Sequence, residues 1–390
     1  MHILFHRPTP WSSSINCSTK IYARLFAEAG HKVTYLQANI NSAQYFLKKG
    51  YYQFWAEGSR MEDGIWVTSG LSLSPLIEQI KWHQPVLADL RYRSCLPSIR
   101  NIVEESGFGP PDIIWTTIPG SSALKKIFPE SRLIFHSIDN YEAFQGRSIN
   151  RLLRVDYKRA ERIFVIGEAI KADVISKHKV DSDRITNLGQ GVNLSPYQKN
   201  LPMPDEYSNM KGPIAVWVGV LKKLDKDYLR TVLKAMSKSD GSVVLIGPKD
   251  PDFDVMALKW DNLYLLGSRK AEDVPAYLVH ADLGLMIYNR NNQEVYKGQH
   301  PLKLYEYAAA GIPVISTWHQ EFESLNPPVY LVNDDVDLEL LVEQALKSSN
   351  ELKRDILQFA ERNSWQNCMN KALEVMHTVM NLSTNNEVNE

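Results

Sequence analysis

Three side chains in this sequence have the type and setting for chemistry on a phosphate-bearing, hydroxyl-bearing ligand: Asp139, Lys303 and Glu306. Two of them lie in the run Gln299–Ser316, QHPLKLYEYAAAGIPVIS. There Pro301 suits the first turn of a helix, Gly311 suits the position just past its end, and Pro313 blocks continuation before the apolar Val314–Ile315. The i,i+3 spacing puts Lys303 and Glu306 on one face, while Leu304, Ala308 and Ala309 pack elsewhere. A helix start near Leu302 offers free N–H groups and a positive dipole end, a setting for phosphate to which a lysine one turn in adds charge. Glu306, one turn further, can accept from sugar hydroxyls. The same pattern also describes an ordinary amphipathic helix with a surface Lys–Glu pair.

Asp139 follows the apolar run Arg132–His136, a strand expected to end at Ser137-Ile138-Asp139-Asn140. Ligands of open α/β sheets bind beyond the carboxyl ends of strands, so a carboxylate there is placed to act as general base toward a substrate hydroxyl. The alternative is a structural role, capping the next helix or closing an Asx-turn with Asn140. His6, His136 and Glu142 are further titratable groups in this half, each expected to be structural.

The elements that position these residues alternate strand and helix. Residues 2–5, 31–36, 111–115, 132–136, 159–165 and 185–188 are expected strands, with a first helix carrying Ile21, Leu25, Phe26 and Ala29 on one face. A helix is expected through about Leu87–Ser106. The loop after the first strand lacks GxGxxG, so no dinucleotide fingerprint is present. A proline-bearing stretch, 196–213, is expected to link residues 1–195 to a second domain, 214–362. That domain opens with Ile214–Val218 and Gly219, followed by a helix from about Asp225 to Ser237 and strands near 242–246, 262–267 and 283–288. A last helix covers 363–381, before a polar tail, 382–390, expected to fray. Alternation of this kind requires two parallel sheets, each flanked by helices.

The 390 residues suit two domains, and 44% hydrophobic with 23% charged residues is the composition of a soluble globular chain. A net charge of −1 gives no global reason to expect nucleic acid. Cys17, Cys95 and Cys368 lack metal-ligand spacing and suit buried thiols in a reducing cytoplasm. Met1 runs directly into His2-Ile3-Leu4-Phe5 with no signal-peptide pattern, and no apolar run has the length of a membrane span. The expectation is a cytoplasmic protein whose contact with a membrane, if made, is peripheral. Lys48–Arg60 (KKGYYQFWAEGSR), Lys81-Trp82-His83 and Arg91-Tyr92-Arg93 combine basic and aromatic side chains, which suits an anionic lipid surface. A partly buried aromatic cluster with solvated charges is the other reading.

Taken together, the HPLKLYEYAAAGIPVIS run, WVGVL at Trp217–Leu221, LIGP at Leu245–Pro248, NLYLLG at Asn262–Gly267, HADLGLMIY at His280–Tyr288 and the late NSW helix resemble a GT-B glycosyltransferase. The resemblance implies two Rossmann-like domains about a cleft, with the last helix crossing back to the first domain. Retaining enzymes of this fold carry Arg and Lys where Val220 and Asp225 stand, and an acidic residue where this chain has Gly298. The spacing Tyr288, Val295-Tyr296, Leu302-Lys303 is instead similar to the membrane-associated glucuronosyltransferases of bacterial exopolysaccharide synthesis. That similarity implies Asp139, in FHSID, as the base of an inverting transfer. It implies a donor site of Gly219, Val220, Lys222, Tyr288, Leu302, Lys303 and Glu306, with Lys303 on the diphosphate. The co-substrate implied is a nucleotide-diphosphate sugar, UDP by resemblance, and the acceptor a saccharide or lipid-linked saccharide. Neither a metal nor another cofactor is expected. A retaining transferase, a sugar-nucleotide epimerase of the same fold and a two-domain ligand-binding protein are the alternatives.

Overall fold

A computed structural model describes residues 1–7, 9–13, 17–37, 40–41, 58–72, 83–292 and 300–387. The chain divides into two compact units, Met1–Gly189 with Cys368–Glu390, and Gln190–Asn367.

The first unit contains strands β1 (His2–Arg7), β2 (Lys32–Gln37), β3 (Ile40–Asn41), β4 (Arg60–Glu62), β5 (Ile65–Thr68), β6 (Leu71–Ser72), β7 (Cys95–Leu96), β8 (Ile113–Thr116), β9 (Arg132–Ser137), β10 (Arg162–Val165) and β11 (Ile185–Asn187). Eight of them form one sheet in the order β11-β10-β9-β8-β1-β2-β5-β4, parallel apart from the edge hairpin of β4 on β5. The short β3, β6 and β7 form a separate sheet. Ile3–Phe5, Ile113–Trp115 and Leu133–Phe135 are fully buried, as expected of strands covered on both faces. His6 stands opposite Thr116, and Thr116 opposite Phe135, so β1, β8 and β9 end side by side.

The second unit holds β12 (Ile214–Val218), β13 (Ser242–Ile246), β14 (Leu263–Gly267), β15 (Leu283–Met286), β16 (Val314–Thr317) and β17 (Tyr330–Val332). They are parallel, in the order β14-β13-β12-β15-β16-β17. Strand order reverses between β12 and β15, the switch point beyond which open α/β sheets take their ligands.

Several sequence expectations change. Residues 196–213 are not a free linker: Tyr207 is buried in the second unit's core, Glu206 bonds Arg269 at 2.6 Å, and Leu201 accepts from His280 at 2.9 Å. Their prolines shape a packed segment. The helix expected over 87–106 is two helices, Pro85–Arg93 and Ile99–Glu104, separated by β7 and Pro97. Residues 159–161 are not part of a strand; the preceding helix runs to Arg159 and β10 starts at Arg162. The last helix spans Trp365–Glu387, through most of the expected tail. Residues 48–57 and 81–82 of the basic–aromatic segments, and Gly298, lie outside the described residues. Tyr92 of the third segment is buried, with its hydroxyl 2.9 Å from His6. Among the described residues no helix is long and apolar enough to cross a membrane.

Candidate active site

The helix carrying Lys303 forms over Leu302–Ala309. Pro301 is its extended cap residue (φ −67°, ψ 122°), one position before the first turn where it was expected, and no side chain caps the helix. Gly311 has φ +70° and donates to Ala308 O at 3.0 Å, which ends the helix as expected. Tyr307 fixes the helix to the sheet. Its hydroxyl accepts from Val218 N–H at 3.0 Å and lies 3.3 Å from the carbonyls of Val216 and Leu285. Its ring covers Gly284, where an added Cβ would lie 2.7 Å away. One tyrosine thus spans β12 and β15, and the residue one turn earlier, Lys303, is delivered to the switch point.

The Lys303 ammonium lies 3.3 Å from the centroid of the Trp217 ring and 5.0 Å from that of Tyr288. Gly219 (φ +137°) passes beside it, and a Cβ there would lie 3.2 Å from Nζ. No carboxylate among the described residues pairs with Lys303. Desolvation, reinforced by the charge of Lys223 and opposed by Glu306, holds its pKa well below the usual lysine range. Cation–π contact offsets part of that cost and supplies no counter-charge.

Glu306 is partly buried, which raises its carboxyl pKa against the pull of Lys303. Its charge is felt by the Tyr197 phenol, so it borders the segment that was expected to be a linker. Tyr288 is buried, edge-on to Trp217 and His319 at 5.3 and 5.0 Å. Val220 is exposed and Leu302 half-buried. Lys222 is exposed and lines a hollow of about 760 Å³ with Asp225, Arg290 and Asp334. The lysine acting on Lys303 is Lys223.

Trp217, Gly247 and His319 were not singled out from sequence. Gly247 is obligatory because a Cβ would meet Gly219 O at 2.0 Å. His319 is 3% exposed with neither ring nitrogen hydrogen-bonded among the described residues, and burial followed by the charge of Lys303 lowers its pKa to about 4. Only the glycine in LIGP carried a readable signal.

In the first unit Asp139 lies two residues beyond β9, half-buried, and accepts from Asn140 N–H at 3.1 Å. The cap of the following helix, Tyr141–Gln145, is Asn140, whose side chain accepts from Ala143 N–H. Asp139 borders a cavity of about 420 Å³ with Arg7 and Thr117 from the ends of β1 and β8. His6 and His136 are buried in the core, bonded to Leu36 O and to the Trp115 indole N–H, with pKa values lowered by burial to about 4 and about 3. Glu142 lies 3.5 Å from Lys177. These three are structural. Among the described residues no group of His, Cys, Asp and Glu is arranged to hold a metal ion.

Solved structures share this architecture over almost the whole chain. A glycosyltransferase from Rickettsia africae superposes with TM-score 0.64 at 15% identity, covering 97% of this chain and 98% of its own. Sucrose-phosphate synthase from Thermosynechococcus elongatus gives 0.67 at 13%, covering 98% and 99%. The fold is GT-B. A third GT-B structure, Anabaena HepE in complex with UDP and glucose, gives 0.63 at 12%, covering 97% and 100%. Residues 212–352 match the family described as glycosyl transferases group 1. The chain is also similar to the putative teichuronic acid biosynthesis glycosyltransferase TuaH of Bacillus subtilis, at 27% identity over 249 residues, 59% of this chain. It spans 61% of that relative's length.

Proposed function

We propose that this protein transfers a sugar from a nucleotide-diphosphate donor, with UDP as nucleotide, to a saccharide or lipid-linked saccharide in cell-surface polysaccharide assembly. The observation that carries the reading is Lys303: a half-buried lysine with no described counter-ion, packed on Trp217 at the switch point, on the helix that Tyr307 fixes to the sheet, and approached by the Gly219 backbone. A diphosphate there balances the charge. UDP in the similar HepE structure and the group 1 match over the same unit support it.

In the proposed reaction the donor rests on the second unit and the acceptor on the first. Asp139 takes the proton of the acceptor hydroxyl as its oxygen bonds to the anomeric carbon. The bond from that carbon to the donor phosphate oxygen breaks on the opposite face, inverting the centre. Charge gathering on the leaving diphosphate is met by Lys303, the uncapped N–H groups near Leu302 and the backbone at Gly219–Val220. Glu306 accepts from a donor hydroxyl. No metal is invoked for these steps. The chain acts from the cytoplasmic side, at the membrane surface.

Binding and turnover together test this. UDP should raise the melting temperature of the wild-type protein, and Lys303→Ala should weaken UDP binding roughly 10-fold or more, the loss of one charge-assisted contact. Asp139→Asn should keep UDP affinity and reduce transfer by ~100-fold or more. Unchanged UDP affinity in Lys303→Ala overturns the donor assignment, and near-wild-type transfer in Asp139→Asn overturns the base. Isomerised donor formed without acceptor would instead make the protein an epimerase.

A further inference from the structure

The cavity beside Asp139 combines a cationic corner with an apolar wall. Arg7 and Arg91 supply the charge; Ile118, Pro119, Phe144 and Leu152 supply much of the wall. Arg7 is the last residue of β1, and its guanidinium reaches two hydroxyls, Thr9 at 3.4 Å and Thr117 at 3.3 Å. No carboxylate among the described residues lies within ion-pair distance of it. Its charge acts on Tyr141, which lines the same cavity. A half-buried guanidinium satisfied by two neutral, long hydrogen bonds retains its affinity for an anion, and its planar fork suits phosphate or carboxylate. Phe144, on the short helix capped by Asn140, is 55% exposed at the same cavity.

We propose that the acceptor is an anionic amphiphile, in which a phosphate or carboxylate close to the attacking hydroxyl binds Arg7 and an apolar portion lies on the Phe144 wall. This deepens the proposed function and rests on Asp139 as base. Arg7 is then a specificity-determining residue that places the acceptor against Asp139.

The test is calorimetric titration of the full chain with n-octyl phosphate, n-octanol and inorganic phosphate, with UDP saturating so that Lys303 is occupied. Octyl phosphate should bind wild type at least ~10-fold more tightly than either other probe, as expected for one charge-assisted contact. Arg7→Gln should bring octyl phosphate to the level of octanol while leaving octanol and UDP unchanged, and Arg7→Lys should restore part of the difference. Phe144→Ser should weaken both octyl compounds and spare inorganic phosphate. Octyl phosphate binding that is equal in wild type and Arg7→Gln overturns the anion site, and inorganic phosphate binding as tightly as octyl phosphate overturns the apolar half. Should Arg7→Gln fail to fold, Arg7→Met, which also removes the charge while keeping an unbranched stem, carries the same comparison. UDP affinity, measured separately, reports on the proposed function independently of these outcomes.

Discussion

Asp156, in the helix Asn150–Arg159, has a fully buried carboxylate that accepts from Gly120 N–H at 2.6 Å and Ser122 N–H at 3.1 Å. Those bonds hold the turn that follows Thr117–Pro119 at the cavity beside Asp139. Desolvation pushes its pKa up to about 7, against the opposing bonds from Ser122 and Gly120. A folded pKa above the unfolded value means that the native state holds the proton more tightly. The stabilisation is therefore full below about pH 4 and is lost as pH rises through about 7. Asp156→Asn keeps one acceptor oxygen and cannot titrate. The stability of wild type minus that of Asp156→Asn, from urea unfolding, should fall steadily between pH 4 and pH 7 and then level. A flat or rising difference contradicts this role. Asp156 was illegible in the sequence because its partners lie 34 and 36 residues away and its neighbours read as a basic helix. Lys303 and Asp139 were legible because helix punctuation and strand ends are local. The aromatic floor of Lys303 was not, since Trp217 meets it only through the crossover from β12 to β15.

At the scale of elements, Asp225 ties together the two loops leading to the proposed donor site. One carboxylate oxygen caps the helix Lys226–Ser237, accepting from Asp227 and Tyr228 N–H at 3.0 and 3.1 Å. The other takes Arg290 Nε at 3.2 Å, and Arg290 also pairs with Asp334 and stacks over Tyr228 at 4.3 Å. Asp225 N–H donates to Ile287 O at 2.9 Å, so the loop after β12, with Gly219 and Val220, is stitched to the loop after β15, with Tyr288. Asp225→Ala should cost about 2–3 kcal/mol, the sum of a lost cap and a lost charge-assisted bond, read as a lowered urea midpoint. Arg290→Ala should cost about half of that, because the cap survives. Equal losses in the two variants would mean that the cap contributes nothing. The sequence placed this helix start at the right residue because capping chemistry is local. It could not show the second use of the same side chain, which depends on the position of β15.

At the scale of the molecule, strand–helix alternation made the two parallel sheets legible, and proline count misplaced the boundary between them. Val192 and Tyr207 bury into the second core, so the unit begins at Gln190, and the chain leaves it after Asn367. These entry and exit segments run side by side: Val192 N–H donates to Asn363 O at 3.1 Å, and Trp365 N–H donates to Val192 O at 3.1 Å. Gly191 makes that approach possible. A Cβ there would lie 2.7 Å from Trp365 N and 2.9 Å from Ser364 C, backbone atoms that no rotamer change can move aside. Gly189, two residues earlier, has φ +71° with nothing within 4 Å of its added Cβ, so alanine there meets backbone strain alone. Gly189→Ala should therefore cost about 1 kcal/mol and Gly191→Ala ~2 kcal/mol or more, compared through urea midpoints of the full chain. If Gly191→Ala unfolds at the wild-type midpoint, the paired segments are not what secures the second unit where the chain enters and leaves it.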